Sequence, residues 1–227
     1  MSDDVATRLA TLDASIAAAA RRHGRAPDSI ALVAVSKRHP AAAIRAAYAA
    51  GQRRFGENYL QEALGKQEEL ADLDIEWHFI GAIQSNKTAD IAAHFDWVHT
   101  VDREKIARRL NDQRPPGLAP LGVLIEVNIS GEESKHGVAP AALPALIETV
   151  AALPRLRLRG LMALPAPQAE FAAQRRAFAA LAALAAASAV PLDTLSMGTS
   201  DDYEAAIAEG ATLVRIGTAV FGPRPAD

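Results

Sequence analysis

The chain has no cysteine, and that absence removes disulfide staples, thiolate metal sites and a cysteine nucleophile together. Aromatic residues make up only 5%, and there is no block of positive charge: 24 Lys and Arg stand against 27 Asp and Glu, for a net charge of -3. The basic residues are scattered through helical stretches, so neither nucleic acid nor an anionic membrane is expected as a partner. No apolar run reaches the ~18 residues needed to span a bilayer. The opening stretch MSDDVATRLATLDASIAAAARR is acidic before it is apolar; without a basic leader and a continuous hydrophobic segment, no secretory signal is expected. The histidines show no HxxxH or HExxH spacing, and no GxGxxG or GxxxxGK[ST] loop follows the first strand-like run, so zinc-helix and phosphate-loop signatures are both missing. These absences favour a cytoplasmic protein.

What is present is regular. Half of the 227 residues are hydrophobic, enough for one domain over 1–227, because alpha/beta barrels of this length remain undivided. Short apolar or β-rich runs occur at 30–36, 54–56, 77–80, 97–101, 123–129, 158–164, 194–197 and 213–216. Helix-forming stretches separate them: HPAAAIRAAYAAG places proline early and glycine last, SDDYEAAIAEG opens acidic and closes on glycine, and DREKIARRL runs from acid to base. Eight strands alternating with helices predict parallel pairing through right-handed crossovers, hence a closed (β/α)8 barrel. The alanine-rich helix before the first strand is expected to fill the place of the eighth helix. An open doubly wound sheet is the alternative.

In such a barrel, chemistry sits at the C-terminal strand ends. Lys37 closes ALVAVSK, a run of small and mostly apolar residues, where desolvation would lower its pKa and favour a nucleophilic amine. The alternative is a stem lying on the core with its head in water. Near the other end, Gly198-Thr199-Ser200 and Gly217-Thr218 follow the seventh and eighth runs, the recurrent phosphate position of this architecture, with Ser196 beside them. Helix capping by Thr199 or Ser200 is the competing account. Asp201 and Asp202 would repel a phosphate unless they point away. Arg215 lies inside LVRI, and a buried guanidinium needs acceptors for its donors; a buried carboxylate is one possibility. A lysine, a phosphate cradle and a cation between them suit a phosphorylated aldehyde such as pyridoxal 5'-phosphate (PLP).

The motifs LVAVSK, FGENYLQEAL, EWHFIGAIQSNK, VLIEVNISGEESKHGV, LRGLMALP, LSMGTSDDYEAAIAEG and LVRIGTAVFG together resemble, in order, the pyridoxal phosphate homeostasis protein family, which is itself similar to the barrel half of alanine racemase. The resemblance covers nearly all of the chain from about residue 30. It implies PLP as cofactor, Lys37 as the Schiff-base lysine, Ser196, Gly198, Ser200, Gly217 and Thr218 around the phosphate, Arg215 beside the pyridine ring, and Asn58 and Met162 lining the pocket. Thr199 stands where the family usually has methionine, Ala82 and Ile83 vary its GxLQ stretch, and His39 replaces a frequent lysine.

The resemblance further implies a carrier or regulator of PLP supply, with apo PLP-dependent enzymes as acceptors. An amino-acid racemase is the first alternative and a Schiff-base aldolase the second. Racemisation needs acid or base groups on both faces of the substrate α-carbon. Lys37 serves one face, and the second domain that supplies the other in racemases is not expected in a chain ending at Asp227. Of the three tyrosines, Tyr48 falls mid-helix, and Tyr59, just after the second strand-like run, is the conceivable substitute. His78 reads as a hydrogen-bonded core or rim residue. Arg38, Lys87 and Lys135 read as solvated rim charge, with a second anion site as the alternative. A monomer is expected.

Overall fold

Short apolar runs alternating with alanine-rich amphipathic stretches leave each strand to pair with the next one in sequence and each helix to cover the crossover. The computed structural model describes residues 4–131 and 136–223. Its strands are β1 (Ala31–Val35), β2 (Arg54–Glu57), β3 (Glu76–Phe79), β4 (Trp97–Val101), β5 (Leu121–Glu126), β6 (Leu156–Met162), β7 (Thr194–Ser196) and β8 (Leu213–Ile216). They form a closed parallel barrel in chain order. The seam is β1 on β8, with Ala31 opposite Leu213, Val33 opposite Arg215 and Ala34 opposite Ile216.

The helices are α1 (Val5–Arg22), α2 (Ala41–Ala49), α3 (Leu60–Glu69), α4 (Thr88–His94), α5 (Glu104–Gln113), α6 (Leu143–Ala151), α7 (Phe171–Ala186), α8 (Tyr203–Ala208) and α9 (Thr218–Phe221). The side chain of Asp4 caps α1, accepting from the Ala6 N–H at 3.5 Å, while Arg21 and Arg22 occupy its last turn, where basic groups complement the helix dipole. Leu9, Leu12, Ile16, Ala19 and Ala20 form its buried stripe, and the helix packs on α2, α8 and α9. It therefore covers the β8–β1 seam, as expected for a helix standing in for an eighth. No helix among the described residues is long and apolar enough to cross a membrane.

Two strands differ from the sequence expectation. β5 and β6 begin and end two to three residues earlier than the apolar runs, pairing Leu121 with Leu156 and Gly122 with Arg157. At this N-terminal rim, β6 alternates Leu-Arg-Leu-Arg, so its outward residues are charged and the strand starts before the run turns wholly apolar. A bulge between Val123 and Leu124 absorbs the resulting register shift.

One glycine is fixed by the close approach of two strands. A Cβ on Gly160 would lie 1.7 Å from the Thr194 carbonyl oxygen, whereas one on the helical, exposed Gly65 meets nothing within 4 Å. Gly160→Ala is expected to destabilise the barrel by ~1–3 kcal/mol or more through overpacking. Gly65→Ala is expected to stabilise it by ~0.5–1 kcal/mol. Urea unfolding midpoints check both, and equal effects would contradict the β6–β7 spacing.

Candidate functional site

The C-terminal strand ends surround a cavity of about 670 Å³. Arg215 is 6% exposed and borders it. Its guanidinium donates from Nη1 to the Ser196 hydroxyl (2.7 Å) and from Nη2 to the Ala163 carbonyl (3.1 Å). No carboxylate pairs with it among the described residues; neutral acceptors take the place of the buried ion pair that the sequence allowed. Burial lowers its pKa to about 10, with the charges of Asp202 and Glu126 acting in the opposite sense. The arginine thus stays cationic at neutral pH.

Lys37 lines the same cavity from the turn after β1, and a buried ion cluster shapes that turn. Lys66, on the inner face of α3, spends its three donors on the Ser36 carbonyl (2.8 Å), Glu57 Oε1 (2.6 Å) and Glu62 Oε1 (2.6 Å). Ser36 Oγ donates to the same Glu57 oxygen at 2.6 Å, and the Arg38 N–H donates to Glu62 Oε1 at 2.5 Å. Arg38 has φ +62°, the single non-glycine residue with positive φ among those described, a left-handed conformation costing ~1–2 kcal/mol. The residues on both sides of Lys37 are therefore fastened to one cluster. Burial pushes the Glu57 carboxyl above its usual range, opposed by Lys66 and by the Ser36 hydroxyl.

After β7, the sequence admitted Thr199 or Ser200 as a helix cap, but α8 starts later, behind Asp202. Instead the Thr199 N–H and hydroxyl both donate to Asp202 Oδ1, at 2.6 and 2.9 Å. This turn engages Asp202 and leaves Asp201 at the cavity wall. Glycine at 198 and 217 has a packing reason: Gly198 has φ +95° and its Cβ would sit 2.7 Å from Ala206 Cβ, while a Cβ on Gly217 would approach the Val35 carbonyl to 3.0 Å.

Of the residues singled out from the sequence, Lys37, Asn58, Met162, Ser200, Arg215, Gly217 and Thr218 line the cavity. Ser196 and Gly198 do not: Ser196 is fully buried beneath Arg215, and Gly198 abuts α8. Tyr59 is 51% exposed and outside the lining, as are Arg38 and Lys87; Lys135 lies outside the described residues. Asn58 Oδ1 is buried without a hydrogen-bond partner, an acceptor orphaned beside the cavity. Sequence reasoning missed Glu126 and His136, which also line it. Burial raises the Glu126 carboxyl, with His136 opposing. The signal for Glu126 was available: it is the lone acid ending the apolar strand LGVLIE.

The alanine racemase N-terminal domain family model matches residues 8–225. A pyridoxal phosphate homeostasis protein of Pseudomonas aeruginosa is 64% identical over 220 residues, covering 97% of this chain and 96% of its own. The chain belongs to the pyridoxal phosphate homeostasis protein family. Among solved members of similar sequence is PipY of Synechococcus elongatus PCC7942 with PLP bound: 40% identity, a TM-score of 0.83, and coverage of 96% of this chain and 100% of that one. Alanine racemase from Corynebacterium glutamicum is 19% identical with a TM-score of 0.68, matching 99% of this chain but 62% of the racemase. At that distance the likeness is one of fold, and it establishes the barrel as the alanine racemase N-terminal type.

The ion cluster below Lys37 yields a stability prediction. Lys66→Met strands a buried carboxylate and is expected to cost ~3–5 kcal/mol. Adding Glu57→Gln should recover part of that loss, with a coupling of ~0.5–3 kcal/mol in a double-mutant cycle measured by denaturant unfolding. Additive effects would show that the two side chains do not act as a pair.

Proposed function

We propose that this chain binds PLP through Lys37 as a Schiff base and serves vitamin B6 homeostasis in the cytoplasm as a carrier that hands the cofactor to apo-enzymes. The reading rests on one observation above all: a half-buried lysine, a guanidinium held by neutral acceptors and an orphaned amide oxygen converge on one cavity. The PLP bound to a 40%-identical family member supports it. When bound, the cofactor supplies an aldehyde that condenses with an amine and an electron-withdrawing ring.

Each residue has a task in that reading. Lys37 presents the amine, and the Lys66 cluster sets its direction. Ser200 and Thr218 offer hydroxyls to the phosphate, and the chain at Gly217 comes close enough to add its backbone. Met162 gives an apolar wall. Asn58 Oδ1 waits for a donor from the ligand. Arg215 would stand beside the ring as a fixed cation; because a guanidinium does not give up its proton, it would offer the ring nitrogen none, and the ring would draw electrons less strongly than beside an acid. Ser196 and Gly198 act from behind, the first by fixing Arg215 and the second by turning the chain.

That electrostatic arrangement favours storage over turnover. No tyrosine lines the cavity among the described residues, so the substitute base considered at Tyr59 is not part of its wall; beside Lys37, the wall's titratable groups include Glu126 and His136. A racemase would need two positioned proton carriers, and each contributes ~10²- to 10⁴-fold.

Two experiments test the reading. Lys37→Ala should abolish the mass increment left on the protein by borohydride after PLP loading; full labelling of that variant would move the covalent site to another lysine. Loaded protein in D₂O should exchange the α-protons of alanine and serine far below ~1 s⁻¹, an ordinary enzymatic rate, while reactivating an apo PLP-enzyme on mixing. Turnover at that rate that disappears in Lys37→Ala would establish a catalyst and reject the carrier.

A further inference from the structure

A column of polar side chains crosses the barrel interior. Glu76, at the start of β3 on the face opposite the cavity, has a 38% exposed side chain and pairs with Arg54 at 3.0 Å. Its Oε1 lies 2.9 Å from His78 Nε2; His78 Nδ1 lies 2.8 Å from His99 Nε2; and His99 Nδ1 lies 2.9 Å from Ser196 Oγ. Ser196 accepts from Arg215 at 2.7 Å. His78, His99 and Ser196 are fully buried. Because β4 and β7 are not neighbours, the His99–Ser196 bond spans the lumen, where barrels usually place apolar layers.

The two ends dictate the direction of every bond between them. A guanidinium only donates, and an ionised carboxylate only accepts. Between neutral imidazoles a single arrangement then satisfies all five groups: Arg215 donates to Ser196, Ser196 to His99 Nδ1, His99 Nε2–H to His78 Nδ1, and His78 Nε2–H to Glu76. The reverse polarity would set a bare His78 nitrogen against the carboxylate. Burial first, with the Arg215 charge acting in the same sense, holds His99 well below the usual histidine pKa. Burial likewise lowers His78, against the pull of Glu76. Both rings are therefore neutral at neutral pH. Trp97 stacks flat on His78, 5.6 Å between centroids at 13°, and Arg159 covers the Trp97 ring at 4.6 Å, so the imidazole cannot swing out of line.

We propose that Glu76, His78 and His99 are positioning residues for Arg215, forming a directed hydrogen-bond relay that fixes its guanidinium from the opposite face of the barrel. Ser196 is the junction: its hydroxyl accepts from Arg215 and gives its own proton to His99, which fixes the direction in which its lone pairs face the guanidinium. Hydrogen-bonded chains of this kind polarise one another in a low dielectric, so the anion at Glu76 steadies a cation several groups away. The consequence for cofactor binding rests on the PLP reading given above, whereas the direction of the relay does not.

Imidazole ¹⁵N resonances test the direction on the protein without ligand. At neutral pH both His78 and His99 should show a protonated Nε2 and a bare Nδ1. In Glu76→Gln the new amide can donate as well as accept, and the pattern at His99 should shift toward a mixture of tautomers. Arg54→Gln, which removes the rim ion pair but leaves Glu76, should leave His99 unchanged. The PLP dissociation constant should rise ~3- to 10-fold in Glu76→Gln, the loss of about one hydrogen bond, and stay within ~2-fold of wild type in Arg54→Gln. A protonated Nδ1 on His99 in the wild type, or a Glu76→Gln variant with unaltered His99 resonances and unaltered affinity, overturns the relay. Absence of PLP binding by the wild type would instead reject the functional reading, with the tautomers still deciding the relay independently.

Discussion

The register of β1 on β8 is the constraint on which the site depends. Pairing Val33 with Arg215 and Ala34 with Ile216 brings the end of the first strand beside the end of the last. Lys37, from the start of the chain, then faces the same cavity as Gly217 and Thr218. The approach is so close that a side chain at 217 would press on the Val35 carbonyl. A parallel sheet left open at this seam would retain its helices and most of its core, yet Lys37 and Arg215 would stand on opposite edges. α1 secures the closure by burying an apolar stripe across the seam. Its stability contribution and its contribution to binding are thus the same contacts.

Of the cations buried among the described residues, Lys66 and Arg215 are treated differently. Lys66 is surrounded by carboxylate and carbonyl oxygens, so its charge is neutralised locally and its effect is geometric, bending the chain at residues 36–38. Arg215 has a hydroxyl and a carbonyl instead. Neutral acceptors satisfy donors without cancelling charge, and the field of the guanidinium is left for whatever occupies the cavity. Desolvating an unpaired cation is expensive, and the Ser196 acceptor is itself backed by a hydrogen bond to His99. The cost explains why arginine suits the position: a lysine held this way would be prone to lose its proton.

Much of this was legible in the sequence, and what was missed has a common cause. The eight runs, the helix punctuation and Lys37 depend on local spacing, and local spacing is what a sequence displays. Arg215 was conspicuous because a guanidinium in LVRI violates the apolar pattern. Its partners were hidden, since Ala163 and Ser196 lie 52 and 19 residues away, and nothing local says which hydroxyl will meet it. Ser196 was read as a phosphate contact from the family resemblance and its place beside the turn at 198–200, yet its hydroxyl serves the interior beneath the cavity. His99, 97 residues from Ser196, looked like one polar residue in a β-branched strand. Lys66 was overlooked because a lysine in an acidic, polar helix is ordinarily solvated, and only the approach of Glu57 turns it into a buried ion pair.

The glycines show how the fold can account for a residue before any ligand is considered. Gly198 and Gly217 were expected around a phosphate, but each is already required by the fold, against Ala206 and Val35. Glycine there is therefore no independent sign of a ligand. The orphaned oxygen of Asn58 is a stronger sign, because packing gives no benefit from a buried acceptor left unsatisfied. The same reasoning applies to the polar column under the cavity. An apolar lumen would fill the barrel at lower desolvation cost, and a half-satisfied polar one would destabilise it. His78, His99, Ser196 and Arg215 escape that penalty because each finds a partner in the next, which makes the interior intolerant of change at any one of them. In this barrel the demands of the fold and of the site meet at Ser196, where a hydroxyl no larger than a core alanine side chain plus one oxygen links the histidines to the cavity floor.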